Sequence, residues 1–350
     1  MAEIRLGILG AGDVAHRHVE GLLRAGGVRL AGVAEPVEER RQSFQQAYGV
    51  RLAEADYRAL LASSEIDTVL VLTPHFLHAR MVLDALEAGK DVICEKPMAP
   101  TVGDCDRMID SAHARGRKLF VTHSLREEFF FKTALRRLNA GALGKLLGAS
   151  FCWYTDEAAR LDTPGHWKGT TEKSGGGVLI DGGCHVADLA NALLGRARRV
   201  HAFGGKLVAR RAEVAEDTAV FSIEYETGAL VSVFLGFTVG SSLRPTGGFA
   251  AGLSADLYGT EGHIDGGYVI RDADFRRWCV EHRPDEPDRH HYHDGRGRPG
   301  DIDLAIVRAL EGKAPAPVTA LDARNAVAVV QAAYESISSG RAVEVDWRGA

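Results

Sequence analysis

The chain has 350 residues, enough for two domains with cores of their own. Its hydrophobic content of 45% and charged content of 25% match a soluble globular protein, not a disordered or fibrous one. A formal net charge of −5 speaks against a nucleic-acid partner held by phosphate contacts, and no apolar run is long enough to span a bilayer.

Ile4, Leu6, Ile8 and Leu9 alternate and then run apolar, the pattern of a first, central strand. Gly10-Ala11-Gly12-Asp13-Val14-Ala15 follows as a GxGxxA turn. Its first glycine permits a tight turn, its second lets backbone approach a pyrophosphate, and the small third residue packs a helix onto the strand. The helix that begins there offers free N–H groups to that phosphate. His16, Val19, Leu22 and Leu23 carry it at helical spacing to Gly26-Gly27. Val28 to Ala34 reads as a second strand ending in Glu35. An acid there can accept hydrogen bonds from both adenosine ribose hydroxyls and repels the extra phosphate of NADP, so the reading favours NAD over NADP. Arg40 and Arg41 read as a solvated helix face.

Asp67 to Leu72 is the next buried strand, followed by Thr73-Pro74-His75 and a helix from about Phe76 to Ala88. His78 sits in the first turn of that helix, at the cofactor end of the sheet. The strand that starts at Asp91 breaks on Glu95-Lys96-Pro97. Open α/β sheets bind ligands beyond the carboxyl ends of their strands, and Lys96 stands at such an end. A helix from about Thr101 to Arg115 and a strand from Lys118 to Thr122 complete the alternation. This predicts an N-terminal Rossmann domain over residues 1–123, with a doubly wound parallel sheet. The five cysteines, Cys94, Cys105, Cys152, Cys184 and Cys279, lack CxxC spacing, and the chain opens on a strand pattern without a signal-peptide core. Both features predict reduced thiols in the cytoplasm.

Residues 124–350 are expected to form a C-terminal α+β domain. A helix over about Phe130 to Ala140 and a strand over Lys145 to Tyr154 open it. The second chemical stretch is Ser174-Gly175-Gly176-Gly177-Val178-Leu179-Ile180-Asp181-Gly182-Gly183-Cys184-His185. Its glycines allow backbone to crowd a ligand. Asp181 and His185 are four apart and share a face at a helix start. A carboxylate there can orient a histidine and stabilise its protonated form; a capping or structural pair is the competing reading. Tyr154, Asp156 and His166 are further candidates for substrate contact. Val200–Leu207, Thr218–Glu226, Leu230–Val239 and Leu253–Gly259 alternate, which predicts a large, mainly antiparallel sheet with one face covered by helices. Glu281 to Gly300 is polar and holds His290, His291 and His293. It reads as a surface or pocket-edge loop suited to substrate selectivity, with a metal cluster as the rival reading. Helices over about Asp301–Leu310 and Asp322–Ser338 finish the chain.

Gly10-Ala11-Gly12, Thr73-Pro74 with His78, Glu95-Lys96-Pro97, and the triple glycine leading to Asp181 and His185 resemble the glucose–fructose oxidoreductase / inositol dehydrogenase / rhizopine-catabolism (Gfo/Idh/MocA) family. The resemblance covers essentially the whole chain. It implies an NAD(P)-dependent dehydrogenase that moves a hydride between nicotinamide and a secondary alcohol of a sugar, sugar derivative or cyclitol, without a metal. It makes Lys96, Asp181 and His185 the catalytic residues. It implies cofactor contacts at Gly10, Gly12, Asp13, Val14, Glu35, Thr73, Pro74, His75, His78, Glu95, Lys96, Arg126 and Trp167. Substrate contacts would come from Lys96, Tyr154, Trp167, Lys168, Asp181 and His185. The bond before Pro97 is a candidate for the cis form. Lys168 departs from the family's usual arginine and loses its planar fork, and Ser124 stands where another polar residue is usual. A homodimer or homotetramer through the C-terminal sheet is also implied, with Phe234 and Phe237 as interface or core residues. Two other activities occur among relatives: hydrolysis or elimination with transient internal redox, and non-catalytic sensing. The intact Lys96, Asp181 and His185 argue against the sensor.

Overall fold

The computed structural model of the chain describes residues 3–208, 213, 216–237, 250–271, 274–283, 286–294 and 301–349. The chain divides into two compact units, Met1–Ser124 with Arg298–Arg324, and Leu125–Gly297 with Asn325–Ala350. Residues 298–324, which the sequence reading grouped with the second domain, thus belong to the first unit.

The first unit alternates strand and helix: β1 (Ile4–Leu9), α1 (Asp13–Ala25), β2 (Val28–Ala34), α2 (Glu38–Tyr48), β3 (Leu52–Glu54), α3 (Tyr57–Ala62), β4 (Thr68–Val71), α4 (His75–Glu87), β5 (Asp91–Glu95), α5 (Val102–Ala114) and β6 (Leu119–Thr122). The sheet is parallel throughout, in the order β3-β2-β1-β4-β5-β6. The order reverses between β1 and β4, and such a switch point leaves a crevice at the carboxyl ends of the strands. β4 and β6 are buried along their whole length, as strands covered on both faces must be. β3 and α3 went unread in the sequence because they are only three and six residues long. The buried face of α1 is Ala15, His18, Val19 and Leu22, while His16 is exposed; the helical phase runs through His18, not His16.

The second unit contains α6 (Phe129–Asn139), β7 (Leu146–Thr155), α7 (Ala158–Asp162), α8 (Thr171–Ser174), α9 (Cys184–Leu194), β8 (Ala197–Gly205), β9 (Thr218–Tyr225), β10 (Leu230–Gly236), β11 (Ala250–Gly259), β12 (His263–Arg271), β13 (Asp274–Arg283) and β14 (Glu286–Asp294). The proposed extension of the third strand to Val239 lies outside the described residues. α10 (Asp301–Leu310) returns to the first unit, α11 (Ala320–Ser339) begins there and continues in the second, and β15 (Val343–Glu344) follows. The second sheet runs β14-β13-β12-β11-β7-β10-β9-β8-β15, antiparallel except for the β7–β10 pair. The polar stretch read as a loop from Glu281 to Gly300 is therefore mostly strand: β13 runs to Arg283, and β14 pairs with it along Glu286–Asp294. β14 is the sheet edge, where charge and proline are tolerated because one row of backbone groups faces away from the sheet. Residues 295–300 of that stretch lie outside the described residues.

One face of β7 buries Ala149, Phe151 and Trp153 in the core of this unit, with Leu179, Val186 and Leu189 from the segment that follows the triple glycine. In the first unit α10 adds Ile302, Ile306 and Val307 to a core formed by Leu6, Ile8, Val19, Leu22 and Ile93. Ile306 is fully buried. Ile306→Ala is expected to destabilise the first unit by about 2–5 kcal/mol, the usual cost of emptying a buried aliphatic site; urea unfolding followed by circular dichroism measures it.

Candidate active site

Gly10 ends β1 with φ +98, a conformation that favours glycine, and a Cβ there would meet the Leu72 carbonyl oxygen at 2.9 Å. Gly12 has open space where its Cβ would stand. Asp13 and Val14 are exposed on the first turn of α1. Glu35 is buried at the end of β2. Its Oε2 accepts the Ala11 N–H at 2.8 Å and its Oε1 accepts the Val37 N–H at 3.0 Å. The carboxylate therefore holds the glycine turn, and each oxygen keeps a second lone pair for a ribose hydroxyl. Arg41 is tied back to the Glu35 carbonyl at 2.7 Å. An open glycine at a helix start, with a buried acid across the turn, fits the phosphates and ribose of a dinucleotide.

The Glu95-Lys96-Pro97 segment has a cis bond before Pro97. Both neighbours of Lys96 are held by buried histidines. His78 Nδ1 lies 2.9 Å from the Pro97 carbonyl and its Nε2 lies 2.8 Å from the Thr73 carbonyl. His78 is fully buried, and burial pushes its pKa down. Its nitrogens lie between the Thr73-Pro74 loop and the lysine loop, and the neutral ring donates its one N–H to one of these two carbonyls. His75 is also buried, with its ring 5.8 Å from that of His78. On the other side His18 Nε2 lies 3.2 Å from Glu95 Oε1, and His18 Nδ1 lies 2.7 Å from Asp303 Oδ1. Burial opposes charge on this ring, but hydrogen bonds from its nitrogens to Asp303 and Glu95 raise its pKa to about 9. Burial likewise opposes the Glu95 carboxylate, yet the His18 hydrogen bond and charge hold it well below the usual range. Glu95 Oε2 is buried with no partner among the described residues, an acceptor that fits a cofactor hydroxyl. Sequence reasoning missed His18 and Asp303. The one available signal was a histidine on the apolar face of α1.

In the second unit Asp181 lies in a single π-helical turn, Leu179–Gly183, that runs into α9 with His185 in its first turn. The wider turn replaces the plain helix start expected from the sequence. Asp181 and His185 are both buried. Asp181 Oδ2 accepts a hydrogen bond from Lys168 Nζ at 2.9 Å, and the same ammonium lies 3.4 Å from Glu157 Oε1. The lysine that departs from the resemblance thus serves two carboxylates, for which a point charge suffices. It also sits 5.7 Å from the Trp167 ring and 5.8 Å from the Phe237 ring. Glu157, buried at 5% exposure, has no sequence signature and was not anticipated.

The glycines here make room for protein, not for a ligand. A Cβ on Gly176 would overlap the Tyr334 hydroxyl, one on Gly177 the Glu216 carbonyl, and one on Gly182 the Trp153 ring. Glu216 Oε1 accepts hydrogen bonds from Gly177 N, Leu179 N and Tyr334 Oη at 3.1, 2.9 and 2.7 Å. Burial pushes the Glu216 pKa up, against those donors. Buried Trp153 faces this turn, so Tyr154 must face the other side of the sheet, because neighbouring strand residues alternate. It packs over Gly252 there. Arg126 gives Nε and Nη2 to Asp188 of α9, both at 2.7 Å, so its planar fork is engaged within its own unit. His166 Nδ1 accepts the Lys168 N–H at 3.3 Å, and its ring stacks on Trp167. Among the described residues no group of His, Cys, Asp and Glu is arranged to hold a metal ion.

Two family models match the chain. Residues 4–123 match the oxidoreductase family with an NAD-binding Rossmann fold, and residues 131–265 match the GFO/IDH/MocA C-terminal domain. The chain belongs to the Gfo/Idh/MocA family of oxidoreductases. Its cofactor is NAD, which the residues around Gly12 and Glu35 fit. The chain is 26% identical to 1,5-anhydro-D-fructose reductase of Ensifer adhaerens over 76% of each chain. It is 27% identical to myo-inositol 2-dehydrogenase of Thermotoga maritima, over 65% of this chain and 66% of that one. The chain thus spans about two thirds to three quarters of the length of these curated relatives. Levoglucosan dehydrogenase, solved with NADH and levoglucosan, superposes with a TM-score of 0.83 at 21% identity, over 98% of this chain and 99% of that one. The WlbA dehydrogenase from Bordetella pertussis, solved with NADH and UDP-GlcNAcA, gives 0.82 at 22% identity, over 99% and 100%. At such identities these structures establish the shared fold.

The charged His18 has a consequence for stability. Its folded pKa of about 9 lies above the unfolded value of 6.5, so its contribution is complete below pH ~6.5 and is lost as pH rises through ~9. The displacement corresponds to about 3 kcal/mol. Urea unfolding across that range is expected to show stability falling with pH, and His18→Gln to flatten the fall.

Proposed function

We propose that this chain is an NAD-dependent dehydrogenase acting on a secondary alcohol of a sugar, sugar derivative or cyclitol. One observation carries the reading: Asp181, buried and charge-paired with Lys168, whose ammonium also reaches Glu157, stands one helical turn before the buried His185. The names of the relatives, which act on anhydrosugars and inositols, support the substrate class. Bound NAD supplies the acceptor for the carbinol hydrogen and its electron pair. His185 takes the hydroxyl proton on a ring nitrogen as general base. Asp181, its carboxylate steadied by Lys168, orients that imidazole. Lys96 donates a hydrogen bond to the same oxygen and stabilises the developing alkoxide. Trp167 and Lys168 contact substrate, and Glu35, Gly12 and Glu95 hold the cofactor.

Lys96→Ala and His185→Ala are each expected to lower kcat by about a hundred- to ten-thousandfold, the usual worth of a positioned acid or base, with NAD still bound. Absorbance of reduced nicotinamide with a panel of inositols, aldoses, sugar acids and glycosides measures this. Near-wild-type rates in either variant would sink the assignment.

The reading includes a cytoplasmic location, consistent with five free cysteines, four of them buried. Among the described residues no helix is long and apolar enough to cross a membrane. It also includes assembly of two or four copies through the open face of the second sheet. Phe203, Val220 and Phe234 stand in register across β8, β9 and β10, exposed at 68%, 45% and 36%. Phe237, read with Phe234 as interface or core, is buried in the core. Phe203→Asp with Phe234→Asp is expected to yield folded monomers in sedimentation velocity; an unchanged assembly would place the interface elsewhere.

A further inference from the structure

Three carboxylate and imidazole groups from distant parts of the first unit form one buried row: Asp303 of α10, His18 of α1 and Glu95 at the end of β5. The contacts join positions 285 and 77 residues apart in sequence. Asp303 and His18 are 1% exposed and Glu95 7%. A neutral imidazole has one N–H, so only the imidazolium donates to both carboxylates at once. The other charged groups acting on this row are Lys96 and Arg17, both toward Glu95. Neither His18 nor Asp303 has a role in the reaction proposed above.

Lys96 is the residue after Glu95, and His78 clamps the residue after Lys96. His18 is on the same helix that the glycine turn opens. A rigid helix that presents its N-terminus to phosphate thereby also grips the strand end that carries the lysine. We propose that His18 is a positioning residue for Lys96: the Asp303–His18–Glu95 row sets the backbone at Glu95 and so the direction of the lysine side chain. The proposal rests on the assignment of Lys96 to the reaction. It also gives a reason for α10 to belong to the first unit, since Asp303 closes the row.

The test uses His18→Gln and Asp303→Asn in the full chain. Lysines are reductively methylated with 13C-formaldehyde, and the Lys96 signal is assigned by its loss in Lys96→Arg. Both variants are expected to shift the Lys96 resonance and its titration midpoint, leaving other lysines in place. With NAD and a polyol that the wild-type protein oxidises, kcat is expected to fall tenfold or more and KM for NAD to stay within twofold. Added to Lys96→Arg, His18→Gln should cost less than a further twofold. Asp303→Asn preserves side-chain size and decides the matter if His18→Gln fails to fold. An unmoved Lys96 resonance, a kcat within twofold of wild type in both variants, or a full tenfold loss on top of Lys96→Arg each overturns the proposal. Wild-type protein that turns over no polyol refutes the dehydrogenase reading alone, because the resonance reports on Lys96 without substrate.

Discussion

A flexible lysine can act at a defined atom only if its own backbone is held, and in the first unit two buried histidines meet that constraint. His18 holds the residue before Lys96 and His78 the residue after it. They do so by opposite electrostatics. His18 stands between two carboxylates, whose charge outweighs burial and favours the imidazolium. His78 stands between two carbonyls, and burial there disfavours charge. The sheet supplies the third restraint, because β5 lies between β4 and β6 and reaches the end of the sheet where ligands bind.

The second unit solves a similar problem without a cation at the anchor. Glu216 gathers two backbone N–H groups and the Tyr334 hydroxyl on one carboxylate oxygen. That fixes the approach to the π-helical turn bearing Asp181. Trp153 fills the space beside Gly182, and the absence of a side chain there is what lets the turn sit against the ring. Lys168 then bridges Asp181 and Glu157, and Arg160 adds a second cation to Glu157, so that two buried acids coexist near one point. Paired in this way, buried charge is tolerable; removing the lysine would take from each carboxylate its shared cation, while Arg160 would still reach Glu157 at 3.4 Å.

Much of this was legible in the linear chain. Apolar runs of fixed period gave the six-stranded sheet its main strands, because burial on both faces demands them. Gly10, Glu35, Lys96, Asp181 and His185 stood out because rare residue types occurred at strand ends or beside glycine runs. Other features were misread where pattern and packing diverge. The stretch from Glu281 looked like a loop because it is polar, yet an edge strand can be polar and remain paired. The triple glycine looked like a ligand cradle because its spacing says only that something comes close, not what.

By itself, then, the sequence determined the two-part architecture and the dinucleotide turn, and it singled out the residues proposed to carry the chemistry, since these depend on local periodicity and local steric demands. Only the tertiary structure decided which groups hold them. His18 with Asp303, Lys168 with Glu157, and Glu216 with Gly177 are pairs separated in sequence by 285, 11 and 39 positions. A buried polar group must find its partner wherever the fold brings one, and nothing in the neighbouring sequence records that choice.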